Sequence, residues 1–222
     1  MRTLFAASLF AAAAIAASGC APSDLSVFVE EAFLMDDECA KGDTILVKGS
    51  LDLGPSVTAG SLPRYIGLFR LRSDLEPIVT QVGDDILAGT SRNEFIATTV
   101  TLSYNLASGA GVPAATEPIY FVIPPGATNS TILFNMLNTA AAQAIAGSVP
   151  VGSQDTLLVN FQFNGNVRSA GGGLLPLHTP QVSFPITLYQ TVPSIPSCST
   201  GVPVLVGPCG NSQEAYTIDC SG

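Results

Sequence analysis

Catalysis needs groups that titrate, attack or coordinate, brought together in one place. The chain has one histidine, His178, in Leu175-Pro176-Leu177-His178-Thr179-Pro180. A Ser-His-Asp triad could use it, but no Gly-x-Ser-x-Gly elbow supplies an exposed nucleophile. A single imidazole would also have to recruit several other ligands to hold zinc. Carboxylates gather at Asp36, Asp37, Glu38 and Asp43, and again at Asp84 and Asp85. Calcium takes six to eight oxygens from loops with alternating acidic spacing, and neither cluster has that spacing, so both read as solvated turns. A glycosidase needs two facing carboxylates and usually aromatic platforms; the chain has no Trp and its five Tyr are scattered. Gly171-Gly172-Gly173 lacks the Lys-Ser/Thr and following helix of a phosphate loop. These residues assign no catalytic group, no metal ligand and no cofactor, and the chain reads as a protein that is not an enzyme.

The cysteines carry more chemistry. Cys39, Cys198, Cys209 and Cys220 form an even set that suits disulfides in an oxidising compartment. Four cysteines allow three pairings. Three of them sit in the last 25 residues of the chain, so if all are bridged one must reach back to Cys39 and staple the start of the domain to its end. Their spacing has no CxxC pair, which argues against a four-thiolate zinc site.

Cys20 stands apart. Before it, Arg2 is followed by an apolar run through Ala17 and then small residues, the pattern of a secretory signal peptide. The run is shorter than the roughly 20 apolar residues of a spanning helix. Ala17-Ser18-Gly19-Cys20 resembles the lipobox of bacterial lipoproteins, with Ala17 where Leu is usual. That resemblance implies cleavage before Cys20 and lipid on its sulfur and new amino group, with palmitate among the expected acyl chains. Each buried methylene adds about 0.8 kcal/mol, so several chains anchor firmly where one would not. Ala21 follows, where Asp would imply inner-membrane retention, so the outer membrane is expected, on its periplasmic or surface face.

Charged residues make up 11% of the chain, against 21 glycines and 16 prolines, and this mix of few charges and many turn formers suits a β-rich extracellular domain rather than a disordered chain. The net charge of −9 and the absence of any Lys/Arg-rich run exclude a nucleic-acid binder. Residues 44–53, 65–72, 95–106, 155–168 and 181–189 alternate apolar and polar side chains as half-buried strands do; residues 25–34, an apolar run followed by mixed spacing, read as a first strand, and residues 119–123 and 131–137 add shorter candidates. Pro185 inside the last long strand predicts an edge or a bulge, and Gly54-Pro55 a stop. Residues 138–146 are rich in helix formers, with Asn138 at a suitable N-cap and Gly147 just past the end, which predicts one short helix. The expectation is therefore an all-β protein, an antiparallel β-sandwich of immunoglobulin-like general shape with about seven strands and one helix, with a barrel as the alternative. It divides into a signal peptide (1–19), a lipidated tether (20–24), a sandwich domain (25–190) and a Cys-rich tail packed on the domain (191–222).

With those residues in view, the chain resembles a family of cell-envelope lipoproteins abundant in myxobacteria. The likeness rests on the acidic turn with Cys39, Gly49-Ser50-Leu51-Asp52, Arg92-Asn93-Glu94, Ile123-Pro124-Pro125-Gly126, Phe184-Pro185-Ile186, and the tail with Cys209-Gly210, Gln213 and Cys220. Family members often carry further cysteines directly after the Phe-Pro strand, where this chain has Tyr189 and Gln190, so no pairing is carried over. The resemblance implies a lipid-anchored envelope protein and no particular activity. The expected role is structural support, or binding of an envelope protein or polysaccharide, with the membrane reached through the N-terminal lipid. A surface adhesion or carbohydrate-binding module is the second reading, favoured by exposed Tyr or Phe on one sheet face. A hydrolase is the third, favoured by a cleft joining His178 to Ser and Asp.

Overall fold

Strands form wherever period-two apolar spacing lets one face of an extended chain be buried. The computed structural model describes residues 26–77, 81–82, 85–86, 93–168, 173–192, 198–199 and 201–221. The elements are β1 (Val27–Met35), β2 (Lys41–Leu46), β3 (Gly49–Asp52), α1 (Gly54–Ala59), β4 (Ile66–Ser73), β5 (Gln81–Val82), β6 (Asp85–Ile86), β7 (Phe95–Leu106), β8 (Ala115–Ile123), β9 (Ser130–Asn135), α2 (Thr139–Ala146), β10 (Gln154–Arg168), β11 (Leu174–His178), β12 (Val182–Tyr189), β13 (Val202–Val206) and β14 (Thr217–Ser221). Among the described residues no helix is long and apolar enough to cross a membrane.

Two sheets make the sandwich. The first has the order β2-β1-β4-β9, the second β3-β12-β10-β7-β8, with β11 also on β10. β10 is the spine of the second sheet. One of its edges pairs with β7 along most of its length, while the other is shared, β12 taking Gln154 to Phe161 and β11 taking Asn164 to Arg168. Its odd-numbered Leu157, Val159, Phe161 and Phe163 are buried, as their spacing predicts. Rings from the two sheets meet in the core: Phe69 lies 4.8 Å from Phe161 and Phe134 5.3 Å from Phe163. Such pairs contribute roughly 0.5–1.5 kcal/mol each beyond area burial. On the outside of the first sheet Arg70 and Arg72 of β4 pair with Glu30, Glu31 and Asp74.

The predicted helix is α2. Asn138 caps it, its Oδ1 accepting from Ala141 N at 2.7 Å, and Ala141, Ala142 and Ile145 are buried. It links β9 of the first sheet to β10 of the second. Tyr104 holds the same corner: its hydroxyl donates to the Met136 carbonyl and accepts from Asn138 N. Burial pushes the Tyr104 hydroxyl up to about 12, aided by the charge of Glu117 and opposed by the Asn138 amide.

The fold is all-β and sandwich-like, with more segments than the sequence predicts. Residues 44–53 are not one strand. The chain leaves the first sheet after β2 and enters the second at β3, crossing at Val47, which is 83% exposed. β3 then runs parallel to β12, in a body otherwise paired antiparallel among the described strands. Gly49 leaves room for the Tyr65 ring against β3, since a Cβ there would lie 2.0 Å from the Tyr65 hydroxyl. Gly54-Pro55 does not simply stop the chain. Proline is tolerated in a first helical turn, and the six-residue α1 follows. β12 is flanked by β10 and β3, yet β3 reaches only Ile186 to Tyr189. Tyr189 O accepts from Leu53 N on that side, and strand parity turns Pro185's nitrogen the same way, past the end of β3. Pro185 thus sits at a local edge. In β7 a register shift between Ala97 and Thr99 leaves Thr98 exposed and restarts the buried row at Val100.

Candidate functional site

The acidic turn is built around one backbone-directed carboxylate. Asp36 Oδ1 accepts from Glu38 N at 3.0 Å and from Ala40 N at 2.7 Å, the local hydrogen bonding for which Asp is favoured in turns. That turn presents Cys39, and Cys209 N donates to the Asp36 carbonyl. Cys39 and Cys209 stand at disulfide distance, as do Cys198 and Cys220. The first pair spans 170 residues and closes the N-terminal strand region onto the tail. The second ties the stretch just before β13 to β14, and the two strands pair antiparallel with each other. Cys209 also caps a small apolar cluster of Phe33, Met35 and Leu68 outside the first sheet.

Between these two pairs the tail wedges into the sandwich through polar groups. Asp52, at the end of β3, is 0% exposed. Its Oδ1 accepts from Gly54 N at 2.9 Å and Thr191 N at 3.0 Å, and its Oδ2 from the Thr191 hydroxyl and from Tyr216 Oη at 2.6 Å. Burial alone would raise the Asp52 carboxyl; the hydrogen bonds from Thr191, Tyr216 and Gly54 outweigh it and hold the group below the usual carboxylate range. Burial, with the Asp52 carboxylate as hydrogen-bond and charge partner, pushes the Tyr216 hydroxyl up to about 12. Ser212 reinforces the same point, its hydroxyl donating to the Asp52 carbonyl at 2.5 Å.

One strand away, Glu214 Oε1 accepts from Tyr65 Oη at 2.6 Å and from Ser50 N at 3.1 Å. Burial, then the charge of Glu214, raises the Tyr65 hydroxyl far above its ordinary value. Gln213, 1% exposed, copies a strand: its side chain accepts from Ile66 N at 2.8 Å and donates to Ile66 O at 3.0 Å, while its backbone bridges Leu51. Gln213 therefore ties β3 of one sheet to β4 of the other. Cys39, Cys209 and Glu214 all take left-handed backbone without being glycine, a strain of roughly 1–3 kcal/mol each that the surrounding bonds must hold.

Among the described residues, two of the open surfaces are suited to partners. The first is a cleft of about 690 Å³ between α1 with the loop to Arg64 on one side and the β13–β14 hairpin with Gly210 to Ser212 on the other. Asp52 pins both walls, since it binds Gly54 at the start of α1 and Tyr216 just before β14. The second is the outer face of the larger sheet. There Thr116, Thr101 and Gln162 lie in register across β8, β7 and β10; Pro118, Thr99, Asn164 and His178 form the next row, and Ser103, Asn160 and Ser183 another. Asn164 Nδ2 donates to Thr101 Oγ1 at 2.9 Å and Ser183 Oγ to Asn160 Oδ1 at 2.5 Å. The edge strand β8 adds Tyr120, 76% exposed.

His178 is exposed at the end of β11, opposite Asn164. Asp85 opens β6 opposite Val82, while Asp84 and Cys20 lie outside the described residues. The groups that pattern reading passed over are Asp52, Glu214, Gln213, Tyr65 and Tyr216. Asp52 alternates with Leu51 and Leu53 and so reads as solvent-facing; the tail, not the opposite sheet, buries it. No family model, curated protein or solved structure matches the chain.

Proposed function

We propose that the protein is a lipid-anchored component of a bacterial envelope, held at Cys20, whose folded body binds or supports a neighbour and performs no chemistry. The observation that carries this reading is how the chemically able groups are used. Asp52, Glu214, Tyr65, Tyr216 and the Cys39–Cys209 pair fasten the tail to the sandwich, and the Cys198–Cys220 pair closes the tail on itself. Paired cysteines suit an oxidising compartment, in line with the leader before Cys20. The test is Cys20→Ser expressed in a double-membrane bacterium. The native protein should fractionate with membranes and carry an acyl mass at its N-terminus, and the variant should appear in the soluble fraction. A variant that stays with the membranes refutes the anchor.

A second reading, carbohydrate binding, has its own support in the outer sheet face. Its amides and hydroxyls are uncharged and aligned in rows, and Tyr120 offers an exposed ring to stack on a sugar. Retention on insoluble neutral polysaccharide that falls with Tyr120→Ala supports it; equal retention of both forms refutes it.

A further inference from the structure

We propose that the cleft between α1 and the β13–β14 hairpin binds a single-chain amphiphile with an anionic head, a fatty carboxylate or alkyl phosphate. The idea rests on the binding reading above and gives it a ligand class and a place. The cleft volume of about 690 Å³ lies within the range of small-molecule sites, roughly 300–1,000 Å³. Leu62, Pro203, Leu205 and Ile218 line it from both walls. Leu62 is 40% exposed, apolar area that a ligand would cover.

Arg64 is the one charged residue among the described lining. It is exposed, and no carboxylate among the described residues pairs with it, whereas Arg70 and Arg72 are both paired. In a chain with 17 acidic and 8 basic residues an unneutralised guanidinium beside an apolar wall is a recognition element. Its planar fork matches carboxylate and phosphate oxygens, and Ser56, Thr58 and Ser61 add hydroxyls on the same wall. No aromatic ring lines the cleft among the described residues, so a sugar has nothing to stack on there. The Asp52 hydrogen bonds fix both walls before any ligand arrives, which keeps the ordering cost of binding low.

The test is calorimetric titration of the whole mature protein with dodecanoate and with dodecyl phosphate, both below their micelle concentrations. Dodecyl maltoside serves as a neutral-head twin, and acetate and inorganic phosphate as heads without tails. Saturable one-to-one binding of at least one anionic amphiphile is expected. Arg64→Gln should weaken it about tenfold or more, the worth of one charge-assisted contact, and leave any binding of the neutral twin unchanged. Leu62→Asp, in an exposed loop, should abolish binding with the melting temperature kept. The proposal is overturned if neither anionic amphiphile binds saturably or if Arg64→Gln binds as the native protein does. It is equally overturned if inorganic phosphate alone binds as tightly as dodecyl phosphate, which would leave an anion site without an apolar subsite. Failure here does not touch the Cys20 anchor, whose readout is membrane fractionation, and loss of the anchor would leave this titration intact.

Discussion

Replacing Asp52 tests whether one buried carboxylate locks the tail. Asp52→Ala removes the acceptor of four hydrogen bonds, from Gly54 N, Thr191 N, the Thr191 hydroxyl and Tyr216 Oη. The buried Gly54 N–H would be left unsatisfied, at about 1–3 kcal/mol, while the more exposed Thr191 and Tyr216 can turn to water and forfeit only about 1 kcal/mol each. The expected loss is therefore about 3–5 kcal/mol, a fall in melting temperature on the order of 10 °C for a domain of this size. Asp52→Asn keeps one oxygen for the two amides and sets an NH₂ before two hydroxyls that can rotate to accept from it, so it should cost only about 1–2 kcal/mol. Urea unfolding followed by circular dichroism, with disulfides intact, measures both. The pH dependence gives an independent arm. The Asp52 carboxyl is held below its unfolded value of 3.8, so its contribution is complete above that pH and is lost as pH falls through the folded value. Native protein should weaken on that acid limb more steeply than Asp52→Asn. An alanine variant within about 0.5 kcal/mol of native stability, the range of an ordinary surface change, or an asparagine variant worse than the alanine one, would refute the lock.

Other outcomes follow from the same clamp. Replacing Cys39 and Cys209 together by Ser opens a closure of 170 residues and should cost roughly 2–5 kcal/mol by the same unfolding assay. Gly49→Ala drives a methyl into the Tyr65 hydroxyl, 2.0 Å from where its Cβ would lie, and breaks the Tyr65–Glu214 bond; a loss of about 2–4 kcal/mol is expected. Gly147→Ala is the control, because that position has open space and a negative φ; it should be neutral or stabilising by about 0.4–1 kcal/mol.

What could be read from the chain was the part governed by local alternation. Leu157, Val159, Phe161 and Phe163 announce β10, and Asn138 with Gly147 brackets α2, because burial on one face and capping are both written within a few residues. The break inside residues 44–53 is not written that way. Ile45, Val47, Leu51 and Leu53 keep perfect phase across the point where the chain changes sheets, and phase says which face is apolar, not which sheet receives it. β11 and β13 each contain a proline, Pro176 and Pro203, which removes a backbone donor and weakens a strand pattern. The clamp was hidden by a different effect. Ser50, Asp52, Gln213 and Glu214 look like surface residues, because polar burial depends on partners 139 to 164 positions away. The available signal lay in the tail itself: if all four cysteines are bridged, one of the tail's three must reach back to Cys39 and draw its segment across the domain, and what that segment covers is the polar side of β3. Pattern reading therefore finds the layers of such a sandwich, while the contacts that set its cleft come from the segment with least periodicity.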